Sequence, residues 1–138
     1  KQLELKEKQQ DATLPVRLQA YERLALFCER ISPSSLVLRL RTEEMQVADL
    51  KVALLLAIQQ EYEHNISQQI YVSDQLWQIL QLARNEIVYT ITNTAQQLPP
   101  TDNATELAKQ LFASTQQEQI DILLQAQLAI KKEVGTLF

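Results

Sequence analysis

Residues 42–71 read TEEMQVADLKVALLLAIQQEYEHNISQQIY, a helical pattern without an internal breaker. Thr42 can cap the free N–H groups of a first turn, and Glu43 and Glu44 suit the positive end of a helix dipole. Val47, Leu50, Leu54, Ile58, Tyr62, Ile66 and Ile70 form one stripe at spacings of three and four, and Met45, Ala48, Val52 and Leu55 form a second beside it. A helix apolar on much of its circumference belongs at the centre of a bundle, so the segment is expected to be a single buried spine.

The rest of the chain supports an all-α fold. Its 138 residues make one domain, and they include a single Gly. The turns of meanders and barrels need positive φ, which Gly supplies most easily, so such folds are disfavoured. A net charge of −4, with basic residues scattered among acids, argues against a nucleic-acid binder, because phosphate recognition needs concentrated positive charge. The one cysteine, Cys28, cannot form an intramolecular disulfide and falls within an apolar helical pattern, as a buried, inert thiol would. The apolar run at 52–58, VALLLAI, is far shorter than the roughly 20 residues of a membrane-spanning helix.

Outward from the spine, residues 1–12 offer only Leu3 and Leu5 for burial and read as a solvated helix or a frayed arm, and Pro15 is expected to start a new helix or a kink. Domain limits follow as an arm at 1–13 and a bundle at 14–138. Leu18, Tyr21, Leu24, Ala25, Cys28 and Ile31 give the next helix its apolar face, which should end at Ser32-Pro33. Residues 36–40, LVLRL, fit either a helical turn or an extended connector. Beyond the spine, Ser73 caps a helix running to about Gln97, in which Trp77 and Tyr89 supply packing area. Pro99-Pro100 marks a linker, Asp102 or Asn103 caps a short helix at 104–113, and Thr115-Gln116-Gln117-Glu118 reads as a capping box opening the last helix. That helix carries Ile120, Leu123, Leu124, Leu128, Ile130 and Val134. The sum is a helical bundle of about four main helices plus short connecting helices.

Among candidate sites, Glu61 and His64 stand three apart, the Glu-x-x-His spacing by which ferritin-like bundles present a carboxylate and an imidazole to metal. The chain has one histidine, so only a homodimer pooling Glu61, His64 and Glu86 from each copy could complete a di-metal site. The plainer reading is a solvated helix face. Cys28 and His64 as a nucleophile and base, an anion site at Arg30, Arg39 and Arg41, and a small-molecule pocket around Trp77 and Tyr89 are further options, each weaker than its structural alternative. No catalytic residue, metal or cofactor is assigned.

The segments LQAYERLALFCERISPSSLVLRL at 18–40 and EYEHNISQQIYVSDQLW at 61–77 resemble an uncharacterised family of bacteroidete proteins in which one N-terminal membrane helix precedes a helical domain of this size. The resemblance implies a membrane anchor upstream of Lys1 and a domain on the cytoplasmic side of the inner membrane, and it brings no activity to transfer. The resulting expectation is a non-enzymatic, membrane-tethered interaction or assembly module. Amide-rich faces, among them Gln59, Gln60, Gln78 and Gln125, would favour a homodimer.

Overall fold

In the computed structural model, which describes residues 2–117 and 121–138, with side chains for 13–115 and 121–138, the chain is built from helices alone. The order is α1 (Gln2–Arg30), α2 (Pro33–Leu40), α3 (Val47–Asn65), a 3-10 helix (Ile66–Tyr71), α4 (Asp74–Gln96), α5 (Ala104–Gln117) and α6 (Ile122–Gly135). Among the described residues there is no strand, only an isolated bridge between Gln46 and Asn103. The all-α expectation therefore holds, and the residues at 36–40 are helical.

The central segment is shorter than its periodicity implies. Thr42, Glu43 and Glu44 lie outside the helix, which starts after Gln46. The reason is long-range. Val47 donates its N–H to the Asp102 carbonyl at 2.8 Å and Ala48 to the Pro100 carbonyl at 3.1 Å, while Ala104 donates back to Met45 at 2.9 Å. The linker after α4 thus engages the N–H groups that a helix continuing from Thr42 would bond to the Glu43 and Glu44 carbonyls, and Asp49 accepts the Gln46 N–H. At the other end the α-helix stops at Asn65, whose side chain donates to the Glu61 carbonyl at 2.8 Å. The tighter 3-10 winding that follows turns Ile66 and Ile70 off the stripe, leaving Ile70 75 % exposed.

The inner stripe Val47, Leu50, Leu54 and Ile58 is buried, as expected, and packs against α1, α2, α4 and α5. The second stripe is split, with Met45 and Leu55 half-buried against the core. Ala48 and Val52 face outward, and so does Leu56, so α3 is central on one side and open on the other.

Pro15 lies within α1, which continues from Gln2 to Arg30, so of the new helix or kink expected there no new helix starts. Pro33 opens α2 behind the Ser32 cap, whose side chain accepts the Ser35 N–H. Ser73 caps α4 as read, and Asn103 accepts the Thr105 N–H at the start of α5. The capping box at 115–118 is overturned: Thr115 sits inside α5 and donates its hydroxyl to the Leu111 carbonyl, because α5 runs on to Gln117. Glu118 and Ile120 lie outside the described residues. The cap of α6 is Asp121, which accepts from Leu123 and Leu124. Helix α6 lies across α1 and α4 and buries Leu123, Ala126 and Ile130, whereas Leu124 and Leu128 face away. No helix among the described residues is long and apolar enough to cross a membrane.

Candidate functional site

The most connected polar group stands where α1, α4 and α6 meet. Glu133 follows Ile130 by three and Ala126 by seven residues, which puts its carboxylate on the buried stripe of α6. An acid there must find donors, and it finds several. The Tyr21 hydroxyl donates to Oε2 at 2.8 Å and the Ser73 N–H donates to the same oxygen at 3.1 Å, while the Ser73 hydroxyl donates to Oε1. Burial by itself raises the Glu133 carboxyl, but the Ser73 and Tyr21 hydrogen bonds and the Arg17 charge outweigh it, leaving the group below its ordinary value. Tyr21 moves the opposite way: burial and its bond to the Glu133 carboxylate raise the phenol.

Beside this cluster lies an open cleft of about 720 Å³, with Val16, Ile70 and Tyr71 on its rim and Arg17, Ser73 and Glu133 on its walls. The Ser73 oxygen also accepts the Leu76 N–H, so the hydroxyl is at once the cap of α4 and a donor to Glu133. The arrangement acts as a clamp: one carboxylate satisfies the N-terminus of α4 and holds α1 and α6 to it.

The residues singled out by spacing are placed differently. Glu61 turns to α1 and pairs with the Arg30 guanidinium, with its own side chain 14 % exposed and that of Arg30 43 %. His64 is exposed, and its carbonyl accepts from Arg23 at 2.8 Å. Glu86 is also exposed, on α4. Among the described residues no group of three or more His, Cys, Asp or Glu lies close enough to hold a metal ion.

Cys28 is buried in the core, and burial, helped by the charge of Glu29, pushes its thiol up to about 12. A thiol so far from ionisation is a poor nucleophile at neutral pH. The three arginines do not converge: Arg30 holds Glu61, Arg39 donates to the Arg30 carbonyl, and Arg41 reaches Thr105.

Trp77 and Tyr89 do not share a pocket. Trp77 is buried and stacks on Tyr62 with ring centroids 5.9 Å apart, Arg84 lies 4.1 Å over the other ring, and Gln81 donates to the Tyr62 hydroxyl. Tyr89 is 66 % exposed. The gap beside Trp77, bounded by Leu24, Phe27 and Leu80, has no room for a water molecule.

The Glu133 clamp escaped the sequence reading because its partners are 60 and 112 residues away. The available signal was an acid at i+3 and i+7 on an apolar stripe, a position that demands donors from another element.

No curated protein and no solved structure matches the chain. A model of a family of unknown function, DUF7935, matches residues 1–137 and so spans essentially the entire helical bundle. On that match the chain belongs to the DUF7935 family.

Proposed function

We propose that the chain is a non-enzymatic helical interaction and assembly module, tethered to the inner membrane and facing the cytoplasm. The observation that supports it most is a division of labour among side chains. The partnered ionisable groups Glu133, Glu61 and Arg41 are spent tying helices of the chain to one another, while Val52, Leu56, Leu82, Tyr89 and Leu128 remain more than half exposed. Apolar side chains grouped on a surface mark places where another surface docks.

The tether rests on the likeness to bacteroidete proteins with an N-terminal membrane helix. With an anchor before Lys1, the residues Lys1, Lys6 and Lys8 would lie near anionic headgroups, where each cation gains about 1 kcal/mol. Glu4 and Glu7 reduce that attraction.

The test is fractionation of cells producing the whole gene product. The proposal expects it in the membrane pellet after alkaline carbonate extraction. Recovery in the soluble fraction would overturn the tether.

A further inference from the structure

Among the described residues exposed apolar side chains gather at several places on the surface, and these differ in charge. Leu26 lines a groove between α1 and α6 flanked by Glu29 and Lys131. Val16, Ile70 and Tyr71 rim the cleft that holds Arg17 and Glu133. The outward side of the α3–α4 pair is built differently.

On α3 that side is Ala48, Val52, Leu56 and Gln59, and on α4 the spacing of three and four carries Leu82, Asn85, Tyr89 and Gln96 outward. The two helices are antiparallel neighbours whose register is fixed at both ends. Tyr62 meets Gln81 and Arg84, and Val47, Ala48 and Val52 share a groove of about 470 Å³ with Ala95 and Gln96. Leu56 therefore lies near the middle of the face, level with Ile87 and Val88, and beside Tyr89.

We propose that a second copy of this chain docks on this face about a two-fold axis that lies in the face and crosses α3 and α4 near Leu56, which deepens the assembly reading above and rests on it. Two features identify the occupant. Apart from Glu86 at its α4 edge, the middle of the face is apolar or amide, and an amide both donates and accepts, so the face can bond to its own copy, which a patch of one charge cannot. The face also has opposite charges at its two ends: Lys51 beside Val52, and Glu63 near the C-terminus of α3. Among the described residues neither forms an ion pair.

A two-fold rotation about that axis lays α3 antiparallel on α3 and α4 antiparallel on α4 of the other copy, with Leu56 close to the axis against its counterpart and Tyr89 level with Asn85. The same rotation brings Lys51 of each copy to the end where the other carries Glu63. Apolar surface meets apolar surface and the end charges complement each other, although each chain has a net charge of −4.

Sedimentation velocity of the full chain, over a concentration series reaching on the order of 100 µM, tests this. Leu56→Glu and Tyr89→Glu should each raise the dimer dissociation constant at least about tenfold. Lys51→Glu and Glu63→Lys should each weaken the dimer about threefold at low salt, and combining the two should restore it. Leu128→Glu, on an equally exposed apolar residue of α6, should change nothing. All these sites are on the surface, so melting temperatures should stay near wild type, and recovery in the double charge swap can come only from folded protein. A wild type that stays monomeric throughout, a dimer unaffected by Leu56→Glu and Tyr89→Glu, or a charge swap that fails to recover overturns the face. A wild type that partitions to membranes yet sediments as a monomer overturns this face alone and leaves the tethered module standing with a different partner.

Discussion

Glu61 and Glu133 occupy equivalent positions on two helices and do different work. Each follows a buried isoleucine by three residues, Ile58 in α3 and Ile130 in α6, and so each is carried toward the core. Glu61 meets one arginine that is itself 43 % exposed and can fall back on water. Glu133 meets the hydroxyl of Tyr21, which is 2 % exposed, together with the N–H and hydroxyl of Ser73. The lesson is that helical spacing places a carboxylate against its neighbours, but the solvent access of its partner determines what removing it costs.

That contrast predicts an ordered series of stability changes. Glu133→Ala should cost the most, about 2–3 kcal/mol in chemical denaturation, because it leaves the buried Tyr21 hydroxyl and both donors of the Ser73 cap without their acceptor. Tyr21→Phe should cost about 1 kcal/mol, since Glu133 keeps both Ser73 donors. Glu61→Ala should cost about 0.5–1 kcal/mol, the range of a partly solvated ion pair, and Arg30→Ala about the same. If Glu61→Ala proved as damaging as Glu133→Ala, partner exposure would not be the deciding variable. His64→Ala should fall within about 0.5 kcal/mol of wild type, because only the backbone of this exposed residue is engaged.

Acid sharpens the same comparison. The Glu133 carboxyl is depressed in the folded chain below its ordinary 4.5, so its contribution is fully present above that value and is lost as pH falls through the lower, folded one. The stability gap between wild type and Glu133→Gln should therefore be constant near neutrality and shrink below about pH 4.5, as followed by urea melts at several pH values. A gap that widened on acidification would reverse the sign and refute the clamp.

Much of the fold was legible in the chain. One glycine, long runs at three and four spacing, and punctuation at Pro33, Ser73 and Pro99-Pro100 define helices and their order with no tertiary information. The inner stripe of α3 and the burial of Trp77 on α4 were also readable, because burial of a helix face follows from its period, whereas Tyr89, expected to pack, faces solvent. The candidate metal pair at Glu61 and His64 came from spacing within one helix, which does not say that Arg30 stands opposite one of the two and solvent opposite the other.

What tertiary structure alone decided were the ends of the elements and the roles of the polar groups. The α3 N-terminus sits at Val47, not Thr42, because carbonyls more than fifty residues downstream cap it. Helix α5 ran past Thr115, and Asp121 became the cap of α6. A helix core forms from local hydrogen bonds and a repeating apolar face, both written in consecutive residues. A helix terminus leaves donors and acceptors that any segment can satisfy, so its position depends on which distant segment folding brings within reach.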